Sequence, residues 1–296
     1  MPIELQQIVS QCPLCRGQAS ALFDQRDLHG YRLENRICQS CGLVFLSPRM
    51  SQEQLEHFYA EDYRSLYHQR KEPTPDDLAV QSRRAQFLIT RFSNASPAII
   101  ARHLDIGCST GTLLNEFSRQ YGSTPVGIEL DDAHREYASQ HGIEAYSSLA
   151  GLPKDFEKSF DLVSLVHVLE HLPDPLETLA EVRDRWLKPD GWLLLEVPNL
   201  YCHDSFEVAH LLSFSPTTLR EVVRQSGFQV NWTITHGQPR SDVLPLYITL
   251  LARPHAGPAD DQVLRMERAV KIKRQAGLLY RRALTRLMPA KAWKPV

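Results

Sequence analysis

The sequence predicts an α/β fold: a mostly parallel sheet in the middle of the chain, a small cysteine-bearing module before it and a basic helical tail after it. Three observations carry this expectation. From Ala101 onward, short apolar runs alternate with helix-length segments, the pattern of successive βαβ units. Four of the six cysteines fall in two tight pairs near the N-terminus, and beyond Gly257 the chain turns strongly basic. With 43% hydrophobic and 23% charged residues the composition is that of a folded globular protein, so 296 residues suffice for one large core and a smaller module.

The module is expected at residues 1–50. Cys12-Pro-Leu-Cys15 and Cys38-Gln-Ser-Cys41 form C-x2-C-x22-C-x2-C, each pair followed closely by a glycine, Gly17 or Gly42. A tetrahedral zinc site needs two thiolates from each of two tight turns, and a glycine beside each pair permits the positive φ that wraps backbone around the ion. The alternatives are two disulfides or four reduced buried thiols. Four protein ligands leave no open position, so zinc held by Cys12, Cys15, Cys38 and Cys41 would be structural. Between the pairs, short strands are expected around a turn at His29-Gly30. Five arginines and four acidic residues nearly balance in this module, a poor electrostatic footprint for RNA.

A helical linker is expected at 51–79, with a short helix in SPRMSQEQLEHFYAEDY and a loop or hinge at KEPTPDD, 71–77; another helix runs through QSRRAQFLITRF. The main domain is placed at 80–256. Its strands are read at ARHLDIG, TPVGIEL, a short GIEAY, FDLVSLV and GWLLLEV, then a helix at SPTTLREVVRQSG and an antiparallel hairpin of FQVNWTITHG and LPLYITLLARP.

The turn HLDIGCSTGTLL at 103–114 is the focus. Gly107 and Gly111 let backbone approach a cofactor, and Glu129, at the end of the next strand, can accept two hydrogen bonds from a ribose diol. A dinucleotide would satisfy that spacing too. Asp105 decides against it, because a carboxylate two residues before Gly107 repels a pyrophosphate and attracts a cation.

LDIGCSTG, VGIELD and FDLVSLVHVLEHLPDP followed by LKPDGWLLLEVPN resemble the class I S-adenosylmethionine-dependent methyltransferases over about residues 80–253. The resemblance implies a seven-stranded, mostly parallel Rossmann-like sheet whose last hairpin supplies the antiparallel strand, with S-adenosylmethionine as cofactor. It makes Asp105, Gly107 and Gly111 contacts of the methionine end, Glu129 the ribose ligand, and Tyr146–Ser148, with Ser147 at its centre, a wall near adenine; Cys108, inside the same turn, is counted in the cofactor set. Ser109 stands where many relatives have a third glycine. His167 falls near the ligand end of the fourth strand and joins the cofactor set. Asp161, at that strand's other end and away from the ligand crevice, is read as structural or functional, with the structural role at least equal in weight.

Methyl transfer from a sulfonium needs alignment more than activation, but a hydroxyl or carbon acid must also lose a proton. The candidates for that base are His210, His171 and Glu170, with Tyr201, His203 and Glu207 around them, all in loops beyond the carboxyl ends of strands four and five. His210 ranks first because AHLLSFSPTTL resembles part of zinc-bearing methyltransferases that modify sugars, where the corresponding histidine serves in catalysis. Relatives that methylate sugar carbon place a glutamate just before it. Here the residue is Ala209, which favours O- or N-methylation over C-methylation. The expected acceptor is therefore a saccharide or related small metabolite; RNA, or a noncatalytic assembly role on the same fold, are the rival readings. Cys108 and Cys202 read as small buried side chains.

The net charge of −2 gives the whole molecule no reason to bind a phosphate backbone, and MPIELQQIVSQ has neither the basic flank nor the apolar core of a secretory signal, so a cytoplasmic location is expected. The tail at 257–296 differs. Ten basic residues face three acidic ones, a net of +7, and Ala269, Ile272, Ala276, Leu279, Ala283 and Leu287 recur at helical spacing. Such a helix either packs on its own domain or docks peripherally on an anionic membrane or a phosphate-bearing substrate.

Overall fold

The computed structural model describes residues 4–58, 73–95, 99–255 and 264–294. Its main body is a seven-stranded sheet in the order β10-β11-β8-β7-β4-β5-β6. These strands are β4 (Arg102–Ile106), β5 (Thr124–Ile128), β6 (Glu144–Tyr146), β7 (Phe160–Val166), β8 (Leu187–Pro198), β10 (Phe228–His236) and β11 (Tyr247–Pro254). β4 to β8 pair in parallel, and β11 runs antiparallel to both β8 and β10. This is the parallel α/β sheet expected from the alternating runs, with the seven-stranded Rossmann-like order and antiparallel last hairpin that the resemblance implies. Side chains alternate across the sheet: Leu193, Leu195 and Val197 of β8 face the larger core, while Trp192 and Leu194 face a second one.

Helix α2 (Pro75–Ala95) covers that second face with α3 (Thr112–Tyr121), packing Ala85, Leu88 and Phe92 against Leu113, Phe117 and Trp192. It starts inside the segment read as a loop at 71–77, because Thr74 and Asp77 cap each other's backbone N–H groups and Pro75 supplies a preset first turn. The short helix read at 47–63 is α1 (Gln52–His57), opened by a reciprocal Ser51–Gln54 cap; residues 59–72 lie outside the described set. On the other face lie α5 (Pro175–Glu181) and α6 (Pro216–Gln225), while α4 (Asp132–Gln140) links β5 to β6. Asp161 accepts the Ala101 and Arg102 N–H groups and pairs with Lys188 at 2.6 Å, so it anchors the start of β4.

The N-terminal module forms a second sheet of four strands: β1 (Ser20–Leu28), β2 (Tyr31–Cys38), β3 (Val44–Leu46) and β9 (Leu212–Ser213). β1 and β2 make the hairpin expected around His29-Gly30, both with positive φ. β9 comes from the other end of the chain. Val44 pairs with Ser213 and Phe45 with Leu212, so the main domain contributes the sheet's last strand. Leu33, Phe45 and Met50 share one core with Leu211, Phe214 and Leu219.

The tail forms α7 (Val270–Leu287) and α8 (Pro289–Ala292). α7 packs on its own domain, but through the face opposite the apolar stripe. Val270, Arg274, Gly277, Arg281 and Leu284 turn inward, whereas Ile272, Leu279 and Leu287 are 69%, 62% and 76% exposed. Arg274, only 5% exposed, donates to the carbonyls of Leu200 and His203 and to Asp204. Those bonds offset the cost of burying its charge.

Candidate functional site

The turn after β4 is shaped by backbone. Gly107 has φ 75°, and a Cβ there would collide with Val168; Gly111 has φ 73°, with Ile143 2.5 Å from where a Cβ would stand. Ser109, in place of the third glycine, takes φ 51°, so the loop keeps its path at some conformational cost. The N–H groups of Gly107 and Cys108 both donate to Ile128 O, binding the turn to the end of β5. The Cys108 side chain points into a small cluster with Leu114, Ala138 and Ile143, and burial pushes its thiol well up.

Two carboxylates flank this turn. Glu129 accepts Ser109 N–H at 2.8 Å and Asp131 N–H at 2.9 Å, one on each oxygen, which fixes its plane. A carboxylate has about four acceptor sites, so the same group can also take a ribose diol. Ser147 follows the end of β6, whose Tyr146 carbonyl accepts Glu129 N–H. Asp105 is buried at the end of β4 and accepts the Ser164 hydroxyl at 2.5 Å. Burial, opposed by that bond and reinforced by the Glu129 charge, pushes its carboxyl up to about 7. A cation placed here would relieve both repulsion and desolvation, which suits the ammonium and sulfonium of S-adenosylmethionine.

Beside the turn lies a cluster of imidazoles and carboxylates. His167, at φ 57° just after β7, sets Nδ1 3.4 Å from Glu170 and Nε2 3.3 Å from Glu196, with its ring edge-on to Tyr247. Burial disfavours its charged form, yet the two glutamates outweigh burial and raise its pKa. Burial would likewise raise Glu170, but His167, His171 and His210 bring it down to about 2. Neither Glu170 oxygen has a hydrogen-bond partner among the described residues. His171 Nδ1 sits 2.9 Å from Ala209 O and His210 Nδ1 2.7 Å from Ser205 O, each bond leaving Nε2 as the basic nitrogen. Their rings meet edge to face at 4.8 Å. Burial and the His210 charge lower His171 to about 4. One ligand atom each from Glu170, His171 and His210 lies within 4.8 Å of the others, a spacing that also suits a divalent ion.

Loop 199–215 carries the rest. His203 stacks at a tilt on Tyr247, and burial lowers it to about 3. Glu207 contributes its carbonyl to His210 N–H, while Tyr201 stands with its hydroxyl buried under α7. Cys202 is buried, as read. The residues not foreseen are Glu196, Arg84, His236 and Tyr247. Glu196 is buried near the end of β8, 3.0 Å from Arg84 and 3.3 Å from His236; against burial, contacts to His167 and His236 and the Arg84 charge hold its carboxyl below the usual range. The signal was present: one carboxylate inside the apolar run GWLLLEV demands buried partners.

In the N-terminal module Cys12, Cys15, Cys38 and Cys41 bring their sulfurs within 4.8 Å of one another, with Cys12–Cys41 and Cys15–Cys38 at 3.5 Å. A tetrahedral zinc with Zn–S bonds of about 2.3 Å asks for S···S edges of about 3.8 Å, so the thiols fit the ion. The two turns are alike, but the residue at positive φ is Arg16 in the first and Gly42 in the second. Gly17 serves another need: a Cβ there would press on Ser40 Oγ at 3.1 Å and Cys15 Sγ at 3.3 Å.

Residues 52–231 match the family model described as a methyltransferase domain. The chain is 33% identical over 106 residues to a protein of Paracidovorax citrulli named ubiquinone biosynthesis O-methyltransferase, a match covering 33% of this chain and 44% of that one. A Pseudomonas aeruginosa protein of the same name is 27% identical over 187 residues, 58% of this chain and 78% of its own. Among solved structures, the [4+2]-cyclase SpnF aligns with TM-score 0.49 at 16% identity, over 60% of this chain and 81% of its own. A SAM dependent methyltransferase from Aquifex aeolicus gives 0.46 at 15%, over 69% and 98%. With the family model spanning more than half its length, and with Asp105 and Glu129 flanking a glycine turn on a seven-stranded sheet, the chain belongs to the methyltransferase-domain family, in its class I, S-adenosylmethionine-dependent branch.

Proposed function

We propose that the chain methylates a hydroxyl of a small metabolite, of the saccharide class or related to it, using S-adenosylmethionine. One observation carries the reading: beside the donor turn, a ring nitrogen of His210 lies within 4.8 Å of a carboxylate oxygen of the buried Glu170, and its Nδ1–H is spent on Ser205 O, which leaves Nε2 as the basic nitrogen. Bound S-adenosylmethionine supplies an electrophilic methyl group; Asp105, Gly107 and Gly111 hold its methionine end, Glu129 its ribose and the Ser147 segment its adenine side. His210 Nε2 takes the hydroxyl proton as the oxygen attacks, and the Glu170 carboxylate stabilises the imidazolium formed. His171, held low by burial, fills the space beside that ring without adding positive charge. The names of the curated relatives support an oxygen acceptor on a small molecule. Ala209 in place of a carboxylate, with its carbonyl committed to His171, supports oxygen or nitrogen over carbon.

We further infer that Cys12, Cys15, Cys38 and Cys41 hold a structural zinc that fixes the sheet supporting β9, two residues after His210. His210→Gln is expected to lower kcat by about 10²- to 10⁴-fold while leaving the affinity for S-adenosylmethionine unchanged by calorimetry. Near-normal turnover would remove His210 as the base. A methyl-transfer screen against nucleotide sugars, glycans, small phenols and RNA tests the acceptor class, and label appearing in RNA alone would overturn it.

A further inference from the structure

We propose that α7 is a membrane-docking helix, which lays its exposed stripe into the surface of an anionic phospholipid bilayer. At 100° per residue, Ile272, Ala276, Leu279, Ala283 and Leu287 line one side of the helix, opposite the side formed by Val270, Arg274, Gly277 and Arg281 that packs on the domain. Helices normally bury their apolar stripe in their own core. Here the inward side is held by Val270, Leu284, two arginines and a glycine, and the stripe is left outside, with Tyr280 50% exposed beside it and Trp293 43% exposed beyond the helix end.

The occupant is argued from charge. Lys271, Arg282 and Arg286 rim the stripe on the solvent side, and Lys291 extends the rim past the end of α7. Between the packed side and that rim, Asp204, Leu278, Arg281, Arg282, Thr285 and Arg286 line an open hollow of about 330 Å³, in which three arginines outweigh one carboxylate. A protein partner would meet a strip one residue wide among cations; a bilayer of anionic lipid offers acyl chains for the stripe and phosphates for the rim together. No helix among the described residues is long and apolar enough to cross a membrane, so α7, about 27 Å long, lies along the surface. Its inward side touches the carbonyls of Leu200, Cys202 and His203, which places the docking surface directly behind the loop of the candidate site.

Co-sedimentation of the full-length protein with vesicles of phosphatidylcholine containing about 30% phosphatidylserine, at about 50 mM salt, tests this. Binding is expected to these vesicles and not to pure phosphatidylcholine. Arg282→Glu with Arg286→Glu should weaken it by about 25-fold or more, at about fivefold for each lost cation. Ile272→Glu with Leu279→Glu and Leu287→Glu should abolish it, with the melting temperature and S-adenosylmethionine affinity unchanged because these side chains touch solvent. Absence of binding at low salt, equal binding to neutral vesicles, or variants that bind like the parent would each overturn the proposal. So would a concentration-dependent dimer abolished by the triple variant without any vesicle binding, since a second copy would then cover the stripe.

Discussion

Asp105 carries two opposed demands. Its folded-state pKa, about 7, lies above the ordinary value of 3.8, so in the cofactor-free protein it contributes stability that is fully present below the lower value and lost as pH rises through the higher one. Cofactor binding runs the other way, because the cation needs the carboxylate ionised. Affinity for S-adenosylmethionine is therefore expected to weaken as pH falls below about 7, by up to tenfold per unit, with proton release visible when titrations at about pH 6 are repeated in buffers of different ionisation enthalpy. A flat affinity between about pH 5.5 and 7.5 would separate Asp105 from the cation. Asp105→Asn makes the trade-off measurable. At about pH 8 the free variant should melt higher than the parent, by about 2–4 °C for each kcal/mol relieved, while losing cofactor affinity.

At the scale of elements, what the sequence made legible follows period and length. The strands β4, β5, β7 and β8 announce themselves as apolar runs between helix-length segments, and Ser215-Pro216 marks the start of α6 through its cap. β9 is two residues long, too short for any period, and exists because β3 offers an edge to it across more than 160 positions of chain. The orientation of α7 was equally hidden. Its apolar stripe predicts one buried face, but Arg274 finds two carbonyls and Asp204 on the opposite side, and Gly277 lets the helix backbone lie against the Tyr201 carbonyl, where a Cβ would collide. This contact gives a prediction whose sign is informative. In an exposed helix interior Gly→Ala stabilises by about 1 kcal/mol. Gly277→Ala is expected to destabilise instead, lifting α7 from loop 199–206 and raising amide exchange there, with S-adenosylmethionine affinity unchanged. A more stable variant with parental exchange in that loop would show that the helix does not order the site.

For the molecule as a whole, the question is whether the cysteine module is a separate body or part of the catalytic one. Leu33, Phe45 and Met50 lie in the same core as Leu104, Val163 and Leu195, and β9 joins the small sheet to the loop that bears His210. Arg16 pairs with Asp174 at 2.6 Å, and Arg49 donates to Pro173 O, so the module also rests on the start of α5. A metal held by four thiolates in such a module stabilises only the folded state, by an amount that in isolated zinc peptides reaches about 10–16 kcal/mol. If the module were independent, removing the metal would split calorimetric unfolding into an early small transition and a late one at the parental temperature. The shared core predicts otherwise. Cys38→Ser, or extraction of the metal by a chelator, should shift one cooperative transition downward as a unit, and acceptor turnover should fall with it as β9 and the His210 loop loosen. Two transitions, the later one unmoved, would mean that the module is only attached to the catalytic fold.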